Sequence, residues 1–117
     1  MKKITDIKIA KFNDITLINT IVSWSKKVFP NLTPVAESKK LLEEEKEFLD
    51  SKCSIKEFVD ILIVAIILKY RFNCDNGINI AQRYWHLFNK DDIIRELKLK
   101  AWENMNRKWD TTTNHHI

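Results

Sequence analysis

Eight consecutive apolar residues, Ile61 to Leu68, follow directly on a helix-compatible stretch containing Glu57 and Asp60. A helix through such a run has no polar face, so it is buried on nearly all sides. The run is far shorter than the roughly 20 residues needed to span a bilayer. Its cover must come from other elements of the chain. Asp60 is carried into that interior with it, and a buried carboxylate requires a cation or a strong hydrogen-bond partner.

The preceding stretch offers more carboxylates. Glu43, Glu44, Glu45 and Glu47 crowd one predicted helix, and a short polar turn separates them from Glu57 and Asp60. Carboxylates three residues apart share a helix face, with about 5–6 Å between β-carbons. Glu44 and Glu47 form one such pair, Glu57 and Asp60 the other. Glu44 and Asp60 are centred on Lys52, and so are Glu47 and Glu57. A chain reversal there, as an αα-hairpin, brings Glu47 level with Glu57 and Glu44 level with Asp60. Four carboxylates then converge, which is how a helical bundle builds a site for a hard cation. Two plainer readings compete: Glu43 and Glu45 as a solvated face, and Ser54-x-x-Glu57 as a capping box in which Glu57 bonds back to the Ser54 amide.

The chain has 117 residues with one glycine and two prolines. That length suits a single domain, and so little turn material makes all-α the economical fold. Helices are expected from Asn13 or Asp14 to Phe29, Thr33 to Asp50, Ile55 to Phe72, Ile78 to Leu87 and Asp91 to Trp109. The second helix begins with an N-cap and a proline, Thr33-Pro34. Asn73, Asp75, Asn76 and Gly77 read as a turn. Four to five helices with short connections pack as an up-and-down bundle. Residues 1–12 form an N-terminal arm, 13–110 the helical domain, and 111–117 a polar, loosely held tail. The expected apolar contributions are Leu17, Ile18, Ile21, Val22 and Val28 from the first helix, with Ser25 on the same stripe. Leu41, Leu42, Phe48 and Leu49 are those of the second. Tyr84, Trp85 and Phe88 are read as exposed aromatics available to a subunit interface.

The net charge of +4 is unevenly spread. Residues 41–60 carry three lysines against seven acids, whereas the flanking segments are basic. An acidic patch in a basic surround suits a divalent cation together with a polyanionic ligand. The basic residues are scattered and no nucleic-acid-binding motif is present, so nucleic acid is not the expected partner. Cys53 and Cys74 match no metal-ligand spacing and read as reduced thiols. The first twelve residues lack the apolar core of a signal peptide, no membrane span is expected, and a cytoplasmic location follows.

A second constellation lies near the end. Lys100, Asn104 and Arg107, at i, i+4 and i+7, put an ammonium, an amide and a guanidinium on one helical stripe. Such a stripe grips phosphate oxygens, arginine in bidentate fashion and lysine as a point charge; its plain alternative is a solvated basic face. Trp102, Met105 and Trp109 point elsewhere and are expected to pack. No GxxxxGK sequence is present, which excludes a P-loop. His86, His115 and His116 suggest no ligand set.

The order Glu44-x-x-Glu47 followed by Glu57-x-x-Asp60 resembles the ExxE…ExxD signature of the all-α nucleoside triphosphate pyrophosphohydrolases, the MazG-like superfamily. Trp24-Ser25 with Phe29, Leu41-x-x-Glu44-x-x-Glu47-Phe48, Lys100-x-x-x-Asn104-x-x-Arg107-x-Trp109 and His116-Ile117 are similar to its phage and bacterial dATP/dGTP diphosphohydrolase-like branch. The chain departs from that pattern in a spacer of only nine residues between Glu47 and Glu57, in Lys40 where the branch often has histidine, and in Phe48 for leucine. The resemblance implies Mg²⁺-dependent hydrolysis of nucleoside triphosphates to monophosphate and pyrophosphate, with Mn²⁺ as a substitute ion. It assigns Glu44, Glu47, Glu57 and Asp60 to the metal, and Glu44 or Glu47 to the general base. Lys100, Asn104 and Arg107 would hold phosphates, and Trp24 and Trp109 are the rings available to stack on the base. It further implies a homodimer or homotetramer. The rival readings are a non-catalytic helical interaction protein, a basic helical nucleic-acid binder, and the same fold acting on dUTP, dCTP or damaged nucleotides.

Overall fold

The computed structural model describes residues 14–107, together with the backbone of 109–110 and 115–116. The N-terminal arm at 1–12 lies outside the described residues. The order is α1 (Ile15–Val28), α2 (Pro34–Asp50), α3 (Ile55–Phe72), α4 (Asn76–Tyr84) and α5 (Lys90–Met105). A 3₁₀ turn, Trp85–Leu87, extends α4. Beyond α5 a two-residue antiparallel ladder pairs Trp109 with His116 and Asp110 with His115. The fold is thus an all-α, up-and-down bundle.

The apolar run sets the architecture. Every residue from Ile61 to Leu68 is buried, as are Phe58 and Val59. α3 is accordingly the central helix, touching each of the other four. Phe48 of α2 meets Tyr84 at 4.8 Å between ring centroids, and Phe58 of α3 meets Phe88 at 5.0 Å and Trp85 at 6.3 Å. Trp85 is buried and Tyr84 and Phe88 are half-buried. These aromatics therefore fill the end of the core and are not a free surface, contrary to the expectation drawn from sequence. Conversely Trp102, expected to pack, is 66% exposed.

The helix ends follow local chemistry. Asp14 caps α1, its Oδ1 accepting from the Leu17 amide at 2.9 Å. Thr33 Oγ1 accepts from the Ala36 amide at 3.1 Å ahead of Pro34. Asn89, not Asp91, caps α5, accepting from the Asp91 amide at 2.8 Å. That helix stops at Met105 because Asn106 turns its side-chain amide back onto the Trp102 carbonyl at 2.8 Å, and its last bonds tighten to i→i−3. Arg71 near the end of α3 donates to the Ser25 and Phe29 carbonyls at 2.9 and 2.8 Å. A guanidinium thereby adds a second bond to carbonyls that already accept from the Phe29 and Leu32 amides, and complements the dipole of α1.

Gly77 is not part of a turn but lies in the first turn of α4. A Cβ there would sit 2.6 Å from the Ala65 Cα and 3.0 Å from its Cβ. The glycine is needed so that α4 can lie against the middle of α3, and the chain reverses instead at Asn73, which adopts φ 56°. Gly77→Ala must push α4 away from α3. An overpacking loss of about 1–3 kcal/mol is expected despite alanine's better helix propensity. Urea unfolding of the variant would show a lower midpoint at unchanged slope.

Candidate metal centre

α2 and α3 form the predicted hairpin. Its turn is closed by the Cys53 amide donating to the Phe48 carbonyl at 3.0 Å, with Lys52 and Cys53 both left-handed at φ 61° and 62°. Ser51 Oγ donates to the Phe48 carbonyl at 2.7 Å and accepts from the Ser54 amide at 3.2 Å. The Ser54 amide is thus already satisfied, and Ser54 Oγ accepts from the Lys56 amide at 3.2 Å. Glu57 is not used in a capping box. It is left to the cluster one turn further on.

Glu44, Glu57 and Asp60 come together, each offering a carboxylate oxygen within 4.8 Å of the other two. Glu44 is only 7% exposed, and its Oε2 has no hydrogen-bond partner. Glu47 is not one of the three. It lies about 60° round the helix from Glu44 and is exposed, although its charge is still felt by Glu44. The buried stripe of α2 runs through Glu37, Leu41, Glu44 and Phe48, while Leu42 and Leu49 face outward at 61% and 50% exposure. The apolar face expected for α2 is therefore half replaced by acids. Glu45, expected in water, accepts from the Tyr84 hydroxyl at 2.7 Å and lies 3.5 Å from Arg83.

Two ammonium groups flank the cluster. Lys40 Nζ of α2 lies 3.4 Å from Glu44 Oε1, and Lys100 Nζ of α5 lies 3.6 Å from Asp60 Oδ1. Lys40 is a site residue that motif reading passed over, although its i,i+4 spacing from Glu44 announces it. Glu103 is another: its Oε2 lies 3.8 Å from Lys100 and 3.7 Å from Arg107. Arg107 is beyond the end of α5 and not on its stripe. It still reaches Asn104 Oδ1 at 3.3 Å, and Asn104 is buried. Lys100 thus stands beside Asp60, and Glu103 links it to Arg107 and, through Arg107, to Asn104. A cavity of about 330 Å³ adjoins Lys100, lined by Lys56, Val59, Glu96, Leu99, Lys100 and Glu103. Trp24 packs edge-on against Phe29, 5.8 Å between centroids; the Trp109 side chain lies outside the described residues.

Burial pushes the Glu44 carboxyl up to about 7, helped by the charges of Asp60 and Glu47 and opposed by Lys40. Burial likewise raises Asp60 to about 7; Lys100 opposes this, while Glu57 adds to it by charge and by hydrogen bond. A three-carboxylate, all-oxygen donor set with an orphaned buried oxygen fits a hard divalent cation. Two oxygens on one ion lie at most about twice the bond length apart, or about 4.2 Å for Mg²⁺ and about 5 Å for Ca²⁺. A spread of up to 4.8 Å suits Ca²⁺ as it stands and must draw in for Mg²⁺.

Comparison with protein-family models, curated proteins and solved structures finds no match for this chain. No helix among the described residues is long and apolar enough to cross a membrane.

The raised carboxyls fix the sign of a pH effect. The unfolded chain ionises near the ordinary glutamate and aspartate values of 4.5 and 3.8, whereas the folded protein keeps these protons up to about 7. The folded state binds more protons between those limits, so stability present below pH 4 is lost as pH rises to about 7. The metal-free protein should melt lower at pH 8 than at pH 5, by at least ~4 °C, the shift that about 1 kcal/mol gives a domain of this size. Asp60→Asn should flatten that dependence. Divalent cation should restore stability to the parent protein at pH 8 and not to the variant, both read by calorimetric melting.

Proposed function

We propose that this protein is a divalent-metal-dependent nucleoside triphosphate pyrophosphohydrolase, acting on dATP- or dGTP-type substrates and releasing monophosphate and pyrophosphate. The observation that carries the reading is the convergence of Glu44, Glu57 and Asp60 from two antiparallel helices beside Lys100. Supporting it is the resemblance of these residues, in this order, to the MazG-like signature.

Glu44, Glu57 and Asp60 would hold the ion, Mg²⁺ or Mn²⁺. When bound, it supplies charge neutralisation at the phosphates and a more acidic water. Glu47, outside the three that converge but close in sequence to Glu44, would take the water's proton. Lys100 and Arg107 meet phosphate oxygens by charge, with Asn104 fixing the guanidinium. Glu103 keeps both cations in place before substrate arrives. The cavity beside Lys100 gives the rest of the nucleotide somewhere to lie. Val35, Leu42 and Leu49 stand exposed at seven-residue steps along α2, a stripe suited to pairing with a second copy. A dimer or tetramer forms part of the proposal on that ground.

The test is a panel of canonical dNTPs and NTPs incubated with protein and Mg²⁺, with products separated by chromatography. Monophosphate plus pyrophosphate, absent with EDTA and with Asp60→Asn, is the expected result. Diphosphate plus orthophosphate would place the cleaved bond elsewhere, and no turnover would leave the cluster as architecture. Glu47→Gln should lower kcat about 10²–10⁴-fold, the range for losing a general base, while keeping the metal-induced rise in melting temperature. Glu44→Gln should lose both.

A further inference from the structure

Three carboxylates in a partly buried cluster would ordinarily repel one another, yet two lysines from different helices each face one of them. Lys40 comes from α2 and Lys100 from α5, and their side chains are only 18% and 19% exposed. Lysine is among the residues least often buried, so each is held there by the acid it faces. Neither pairing is tight. The separations of 3.4 and 3.6 Å exceed the roughly 2.7–2.9 Å of a good charge-assisted hydrogen bond. Nor do the lysines saturate the cluster, since Glu44 Oε2 stays buried without a partner. Lysine is a point charge on a flexible stem, able to give up one anionic partner for another without refolding a helix.

We propose that Lys40 and Lys100 are resident counter-cations that yield the carboxylates to a divalent ion and then turn to a polyphosphate, so that the site loads in order, metal before anion. This rests on the metal-dependent reading above and extends it to Lys40. With its acids ionised, the cluster and its lysines carry one net negative charge, which opposes a polyanion. One dication makes that balance positive and releases two ammoniums whose former partners are engaged. Lys100 has Glu103 to lean on meanwhile. The ligand class is an anion of at least two linked phosphates, one for each released ammonium.

Calorimetric titration separates the steps, with Mn²⁺ alone as the first probe and inorganic pyrophosphate as the second, at equal free metal in cell and syringe. Lys40→Met and Lys100→Met should each bind Mn²⁺ about tenfold tighter or more, because a competing cation is gone. Each should bind pyrophosphate at least tenfold more weakly in the presence of metal. Lys40→Arg, which keeps the charge, should restore parent-like Mn²⁺ affinity and separates a charge effect from a folding defect. In the parent protein, Mn²⁺ should precede any pyrophosphate binding, and diamagnetic Mg²⁺ should shift the ε-methylene NMR signals of both lysines. Unchanged or weaker Mn²⁺ binding in the Met variants, with normal binding in the parent, would overturn the displacement role alone. Absence of metal binding in the parent would overturn both this proposal and the reading beneath it.

Discussion

The structure depends on one conflict: α3 has to be buried, and it carries carboxylates at its head. Ile61 to Leu68 leave no side of the helix that water can face. Covering them requires α2, α4, α5 and α1 around one axis. Phe58 and Val59 are buried too, so the cover reaches the first turn and leaves Asp60 half-buried. The hydrophobic gain from α3 is large enough to impose this, since each fully buried aliphatic side chain is worth about 1.5–3 kcal/mol. Desolvating one carboxylate is tolerated within that sum, and the group responds by holding its proton to about 7. An acid kept at the edge of ionisation by its fold is a feature of functional sites more often than of solvated surfaces.

α2 resolves the same conflict differently. Residues 37, 41, 44 and 48 follow one another at steps of four, three and four, a regular helical stripe, but two of the four are glutamates. Glu37 is placed within reach of the Arg71 charge and Glu44 faces Lys40. The outward face meanwhile carries Val35, Leu42 and Leu49. Reading α2 by apolarity alone therefore inverts part of its wheel. The inversion is informative: stability alone would have put Leu42 and Leu49 inside and the acids out.

What could be read from the chain, and what could not, divides along similar physical lines. The burial of α3 was legible because eight apolar residues admit one interpretation. The hairpin was legible because its two carboxylate pairs are symmetric about Lys52, and that symmetry brought Glu44, Glu57 and Asp60 together. It did not extend to Glu47, because level in a hairpin is not the same as facing inward: that side chain is exposed, while Glu44 on the same helix is buried. Gly77 was misassigned for want of a neighbour: its role is a contact with Ala65, which no local pattern encodes. The aromatics after α4 were misplaced for the same reason, since their partners Phe48 and Phe58 are distant in sequence. Arg107 was placed on a helix that ends two residues too soon, because Asn106 competes for a backbone carbonyl.

The short turn ties the burial of α3 to the geometry of the carboxylates. Lys52 and Cys53 are both held in the left-handed region, where a non-glycine residue costs about 1–2 kcal/mol. A longer connection could avoid that strain, but it would also let α2 slide or rotate against α3. With nine residues between Glu47 and Glu57, most of them completing the ends of the two helices, little freedom remains. The Phe48 carbonyl is bonded from both the Cys53 amide and the Ser51 hydroxyl, which fixes the register of α2 one turn beyond Glu44. A cluster whose oxygens lie within 4.8 Å has little tolerance for a shift of register. The strain at the turn and the geometry of the carboxylates are thus two consequences of the same closure.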